Sequence, residues 1–441
     1  MAMVNIENDL PPTQILKQLS GNLAALLPLL SGLADIIPKN TLLWKVKQLK
    51  SAAAYANSRL HAITAEVLVL ASCKDKMLPS GDEARRLSSS LRDCKIRYFK
   101  DNGHIILLED GVNLLTVIKG TCKYRRSRRL DLVMDFLPPS ISEFREVLRS
   151  NGWLRFATSP VMLSTLEDGK IVRGLGGVPN EGPVLLVGYH NLLGCELIPL
   201  VEEFLREKTV LVRGVGHPEL FTANAEAQSN NFSFFDLVKV FGTVPVTASN
   251  LFKLFSTKSH VLLYPGGARE ALHRKGEQYK LFWPDKPEFV RMAARFGATI
   301  VPFGAIGEDD IAEVVFDYND MMRIPVLNDY IRRTNEQTVR VRAETGEEVA
   351  SQDFFLPGVL PKVPGRFYYL FGKPIQTKGR EKELKHKESA NKLYLQIKSE
   401  IECNLAYLIK KREEDPYRGI IDRTVYGAIS YPIDQVPTFE P

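Results

Sequence analysis

Apolar residues in this chain recur in two rhythms, and the rhythms alternate. Short aliphatic runs such as Pro183-Val-Leu-Leu-Val-Gly188, Val210-Leu-Val212 and Val261-Leu-Leu263 are not interrupted by polar positions. Runs of that kind predict strands buried on both faces. The stretches between them, including Leu197–Leu205 and Glu288–Phe296, carry apolar residues at helical spacing. From Ile141 to about Phe371 this alternation predicts an α/β domain around a central sheet, followed by a charged helix over roughly Lys382 to Arg412. Asp415 to Pro441, with its prolines and tyrosines, reads as an irregular tail.

The upstream part is shorter and differently built. Ala65–Ser72 and Cys94–Phe99 predict two strands, with a loop holding Asp75, Pro79 and Gly81 and a helix through Leu87 between them. Asn102-Gly103-His104 closes that unit. Gly120 to Ser140 is basic and then proline-bearing, which suits a linker. The expected organisation is a first region over 1–115, a linker over 116–140, a larger domain over 141–430 and a tail over 431–441. Leu16 to Pro38 is the most apolar stretch, but Pro28 and Asp35 interrupt it, so an amphipathic packing or lid helix is expected rather than a membrane span.

Composition narrows the classes. A chain of 441 residues, 44% of them apolar, has material for two or three cores. The net charge of +6 is too small to point to nucleic acid. Basic residues gather locally in Lys123–Arg129 and around Lys378 to Lys387, runs that suit solvated loops or contact with an anionic membrane surface. The five cysteines, Cys73, Cys94, Cys122, Cys195 and Cys403, include no C-x-x-C pair, which suits a reducing compartment and argues against a zinc site. No secretory leader or transit peptide is visible at the N-terminus.

The chemistry concentrates at the predicted strand ends. His190 stands at the carboxyl end of an aliphatic run, where open α/β sheets place their ligands, and Glu196 is expected one or two turns into the following helix, folding back to orient the imidazole. An imidazole held in one tautomer by a carboxylate takes a proton from a hydroxyl near neutral pH. Gly266 and Gly267 follow another such run, in Tyr264-Pro-Gly-Gly-Ala-Arg269-Glu270. Their backbone amides suit an oxyanion or a phosphate. His217, after Val210-Leu-Val-Arg-Gly-Val-Gly, suits a supporting or a packing role equally. Cys195, beside Glu196, suits packing, because a neighbouring carboxylate disfavours the thiolate.

In the first region, strand, Asp75, strand and His104 follow the order in which an α/β-hydrolase supplies its triad acid and base. The chain has no G-x-S-x-G, so the nucleophile of such a triad is missing. That part therefore resembles the closing section of an α/β-hydrolase domain without its front half, as an N-terminally shortened product would be. Asp75 and His104 are then expected as relics capping the remaining sheet.

Taken in order, His190, Arg213-Gly-Val-Gly-His217, Phe241-Gly-Thr-Val-Pro245, the Tyr264–Glu270 block, Val301-Pro-Phe-Gly-Ala-Ile-Gly307 and Phe371-Gly-Lys-Pro374 resemble the glycerolipid acyltransferases. Within them the set is similar to the diacylglycerol acyltransferase type 2-like group and to the plant phytyl ester synthase family. The resemblance implies a hydrolase-like remnant followed by an acyltransferase α/β domain with a mixed sheet. His190 matches the histidine of the wider family's H-x4-D motif, while Cys195 stands at the aspartate position and Glu196 one residue beyond. Gly266 replaces the glutamate of F-P-E-G-T-R, and the Gly-Gly-Ala-x-Glu form is similar to enzymes that acylate neutral alcohols. Arg269 matches the basic position, and Glu270 the acid of that version.

The resemblance implies acyl transfer from acyl-CoA, acyl-carrier protein or a lipid donor to a lipid alcohol such as phytol or diacylglycerol. No metal or redox cofactor is expected. A plastid setting at thylakoids or lipid globules is implied, with a membrane or globule surface as partner. A lipid esterase and a non-catalytic lipid-associated remnant are the alternatives.

Overall fold

The computed structural model describes residues 39–107, 109, 112, 114–120, 131–139, 145, 149, 152–221, 241–336, 352–429 and 436–441. The apolar stretch Leu16–Pro38 and the basic run Lys123–Arg129 lie outside these residues. By its contacts the chain divides into two units, Met1–Leu114 with Ala227–Ser233, and Leu115–Glu226 with Phe234–Pro441.

In the first unit, Val67–Ser72 (β1) and Cys94–Phe99 (β2) pair in parallel with Val67 opposite Cys94. Parallel pairing needs a crossover, and the helix Ser80–Ser90 (α2) supplies it. A preceding helix, Lys39–Ser58 (α1), is exposed along its described length, Leu42, Trp44 and Leu49 included. Both strands lie where the aliphatic pattern puts them.

The second unit is built on a mixed sheet of eight strands in the order β4-β3-β12-β9-β5-β8-β6-β7. These are Val161–Thr165 (β3), Ile171–Arg173 (β4), Val184–Gly188 (β5), Val212–Gly216 (β6), Val244–Pro245 (β7), His260–Leu263 (β8), Thr299–Ile306 (β9) and Tyr368–Phe371 (β12). Ala312–Phe316 (β10) and Gly358–Pro361 (β11) form a separate antiparallel pair. β5 runs parallel to β8 and β9, and β6 to β8 and β7. β12 reverses direction against β9.

The centre of the sheet follows from composition. Val184, Leu185, Leu186 and Val187 are wholly buried, and alternation sends them to two cores. Leu185 and Val187 join Val261, Ile300 and the inner face of the long helix Lys387–Lys411 (α9), including Leu393, Ile397 and Ile401. Leu186 joins Leu262, Val301, Phe371 and Leu200 on the other side. Each such side chain contributes about 1.5–3 kcal/mol of burial, so the shared edge of these strands is a rigid platform.

Three local features differ from the sequence expectation. Ile420–Ile429 (α10) is a helix inside the expected irregular tail, since Pro416 and Pro432 bracket the segment without interrupting it. Glu196 stands immediately before the helix Leu197–Glu203 (α4), with no capping side-chain bond, instead of lying a turn or more inside it, because a short 3-10 turn at Leu192–Gly194 comes first. Residues 131–139, within the expected linker, pack on the second unit: Lys253 pairs with Asp131 at 2.7 Å and Arg213 donates to the Leu132 carbonyl at 3.0 Å.

Candidate active site

Register alone brings the two expected elements together. Leu186 pairs with Leu262 and Val187 with Leu263, so the chain leaves β5 towards His190 beside the chain leaving β8 towards Gly266. Both turns stand at the carboxyl edge of the sheet, where open α/β sheets place their ligands.

His190 is fixed on three sides. Its Nδ1 lies 2.8 Å from Glu196 Oε1, its ring stacks on Tyr264 with centroids 4.1 Å apart and planes 12° apart, and its backbone amide donates to Glu270 Oε2 at 3.0 Å. An ionised carboxylate can only accept, so Nδ1 carries the hydrogen, and in the neutral ring Nε2 holds the lone pair. Nε2 has no protein partner among the described residues, and the side chain retains 17% exposure while that of Glu196 is fully buried. The arrangement is a directed base with one open nitrogen. Gly194 carries a φ of +72°, and a Cβ there would stand 3.2 Å from His190 Cε1, so the glycine gives the ring its room.

Glu196 is held by its own backbone as well, its carbonyl accepting from the Tyr369 hydroxyl at 2.9 Å. Burial and the Glu196 charge push the Cys195 thiol well above the usual range, which fits the packing role expected of it. The same two causes raise the Tyr264 phenol. Asn191 is fully buried, and its side-chain amide has no protein partner among the described residues.

The Gly-Gly-Ala-Arg-Glu block turns into the short helix Gly267–Ala271 (α6). The Gly267 amide donates to the Tyr264 carbonyl at 3.1 Å, closing the turn. Of the two amides expected to face an anion, that of Gly266 has no backbone partner among the described residues. A Cβ on Gly266 would sit 2.4 Å from Glu270 Oε1, so only glycine lets that carboxylate reach past. Glu270 accepts from the amides of His190 and Phe282, each at 3.0 Å, and burial nonetheless raises its pKa to about 7. Arg269 is turned inward. It grips Glu277 with two bonds of 2.8 Å and lies over the Phe282 ring, fixing the loop that carries the Phe282 amide.

His217 stands at the end of β6, on the far side of β8 from His190. Burial lowers its pKa to about 4, its Nδ1 accepts from the Glu219 amide at 3.2 Å, and its ring packs edge-on to Phe354. It is a neutral, packed imidazole. In the first unit, Asp75 Oδ2 and His104 Nδ1 lie 3.0 Å apart, and the Met77 and Leu78 amides hold the other carboxylate oxygen. The two expected pairs of acid and histidine are therefore each assembled within a unit.

Glu308 and His273 carry no signal in the aliphatic pattern, yet they lie under the site. Glu308 accepts from the Tyr189 hydroxyl at 2.9 Å and from the Leu192 amide. His273 Nε2 lies 3.4 Å from the same carboxylate, without the alignment of a hydrogen bond. Position just beyond the buried strand β9 is the one sequence cue that Glu308 offered.

Comparison with known proteins follows the same lines. Residues 227–381 match the family model for diacylglycerol acyltransferase, a span that includes the Gly266–Glu270 block and Glu308 but not His190. Over 445 residues the chain is 60% identical to phytyl ester synthase 1, chloroplastic, of Arabidopsis thaliana, covering all of this chain and 63% of that protein. Phytyl ester synthase 2, chloroplastic, of the same plant is 49% identical over 411 residues, covering 93% of this chain and 58% of the relative. Human 2-acylglycerol O-acyltransferase 3 is 35% identical over 79 residues, 17% of this chain and 23% of that one. The chain thus spans about three fifths of the length of the two plant relatives. The resemblance read from the ordered motifs holds: similarity to the phytyl ester synthases runs the length of this chain, and the diacylglycerol acyltransferase match falls within it.

Proposed function

We propose that this chain catalyses O-acyl transfer to a lipid alcohol, phytol or diacylglycerol, with His190 as the base. The observation that carries the reading is the 2.8 Å contact from His190 Nδ1 to the buried Glu196, which leaves Nε2 open beside the Gly266 turn. Nε2 takes the hydroxyl proton as the alcohol oxygen attacks the acyl carbonyl. The tetrahedral oxyanion accepts from the Gly266 amide. Collapse breaks the bond to the leaving group, a thiolate or a lipid alkoxide, and the imidazolium returns its proton to it. A positioned base contributes about 10²- to 10⁴-fold, and one oxyanion donor about 10²- to 10³-fold. The names of the two plant relatives support the phytol reading and a chloroplast setting for this chain.

The donor is read as acyl-CoA, acyl-carrier protein or a lipid-borne acyl group, and the chemistry needs no metal or redox cofactor. Among the described residues no helix is long and apolar enough to cross a membrane. Contact with a thylakoid or lipid-globule surface is proposed as peripheral.

The test is ester formation by purified protein given acyl-CoA with phytol or with diacylglycerol. His190→Ala is expected to lose at least about 10²-fold in kcat. Product formed undiminished by that variant would overturn the mechanism. One observation favours a second reading in the first unit, the 3.0 Å pairing of Asp75 with His104, which has the form of a hydrolase acid and base. Fatty acid released without any alcohol, and lost in His104→Ala, would support it.

A further inference from the structure

We propose that Glu308, paired with His273, is the positioning residue that holds the His190 loop in its working geometry. The inference rests on the reading of His190 as the base. Glu308 is 2% exposed and receives donors from both sides of His190 in sequence, the hydroxyl of Tyr189 at 2.9 Å and the amide of Leu192. The Tyr189 hydroxyl in turn accepts from the Tyr279 amide at 3.1 Å, which ties the same carboxylate to the loop that Arg269 and Glu277 fix. One anion thus sets the base-bearing turn and the opposite wall together.

A carboxylate at this depth needs a counter-charge, and His273 has the form to supply it. The imidazole is 1% exposed, its Nδ1 lies 3.0 Å from the Arg274 carbonyl and its Nε2 3.4 Å from Glu308 Oε1. The Arg274 carbonyl requires a hydrogen on Nδ1, and a second hydrogen on Nε2 would give Glu308 its counter-charge. Burial is the largest single influence and works against that cation, but Glu308, the Arg274 carbonyl and Glu277 together hold the His273 pKa above its usual value. Other groups around the pair are Glu270, Arg274, Tyr189, Tyr279 and Asp309, the last neutralised by two bonds from Arg412 at 2.8 and 2.7 Å. Neither Glu308 nor His273 is placed where it abstracts a proton from substrate. Their action is on the loop.

Glu308→Gln tests this, because the amide keeps the volume yet turns an N–H₂ towards at least one of three donors. Expected are a fall in kcat of at least about 10-fold with KM changed less than about 2-fold, and displaced His190 ring resonances in the histidine-labelled protein while those of His217 and His260 stay. His273→Gln retains a donor and is expected to keep more activity than His273→Ala. It should also lose any alkaline decline, since the wild-type tie weakens as pH rises through the raised His273 pKa. Unmoved His190 resonances with wild-type kcat in Glu308→Gln would overturn the proposal, as would a loss confined to thermal stability. Should His190→Ala keep full activity while Glu308→Gln still displaces the His190 signals, the base assignment fails and the positioning role stands.

Discussion

At the scale of the residue, Glu270 sets two demands against each other. Two backbone amides favour its anion, while full burial disfavours it and prevails, leaving a pKa of about 7 against an ordinary 4.5. A carboxyl raised in the folded state binds protons that the unfolded chain releases, so its contribution favours folding at low pH and is lost as pH rises from about 4.5 to about 7. The full span is about 3 kcal/mol. Thermal midpoints of the wild type should therefore fall relative to Glu270→Gln, which cannot titrate, between pH 4 and pH 8. A constant difference across that range would refute the raised pKa. His190 and Glu196 were legible at this scale because six residues separate them, a local relation. Glu308 and His273 were not, since the partners of Glu308, Tyr189, Leu192 and His273 itself, lie far away in sequence and only folding makes them neighbours.

At the scale of the element, the turn after β8 and the start of α6 determine whether the site forms. Gly266 was legible as a turn residue, but the reason for glycine was not, because it lies in the Glu270 side chain folded back across it. In Gly266→Ala the new Cβ would meet Glu270 Cδ at 2.1 Å, so the carboxylate must leave the His190 amide. The expected result is a loss of about 10²-fold in kcat, the cost of displacing a catalytic group by roughly 1 Å, with the overall fold retained by far-ultraviolet circular dichroism. Wild-type turnover in that variant would place Glu270 outside the machinery. Strand positions were readable from aliphatic runs, and the parallel register of β5 with β8 turned two distant motifs into neighbours. The helix α10 escaped notice for the opposite reason. Its apolar residues Ile421, Val425 and Ile429 do recur at helical spacing, but they remain exposed and the segment is short, so Pro416 and Pro432 on either side made it read as loop.

At the scale of the whole molecule, the C-terminal chain returns to fasten the second unit's sheet. Arg366, just before β12, is 2% exposed and donates to Asp415 at 2.9 Å and to the carbonyls of Val436 and Pro437 at 2.9 and 2.7 Å. Asp415 also accepts from Tyr368 and Thr438, each at 2.8 Å. One buried ion pair thereby joins a central strand, the turn before α10 and the last described residues. Nothing in the local sequence announced this, since a late Asp-Pro-Tyr-Arg reads as loop. Removing one partner of a buried pair leaves the other charge uncompensated, at about 3–5 kcal/mol. The two carbonyls that Arg366 keeps place Asp415→Ala at the lower end, so the thermal midpoint should drop by roughly 6 °C. Although burial works against the Asp415 anion, Arg366, Thr438 and Tyr368 hold its pKa below the usual value. Its contribution is therefore present at neutral pH and disappears as pH falls through that lowered value. The gap between wild type and Asp415→Ala should accordingly narrow in acid, and a gap that widened there would show that the strap is held by something other than this carboxylate.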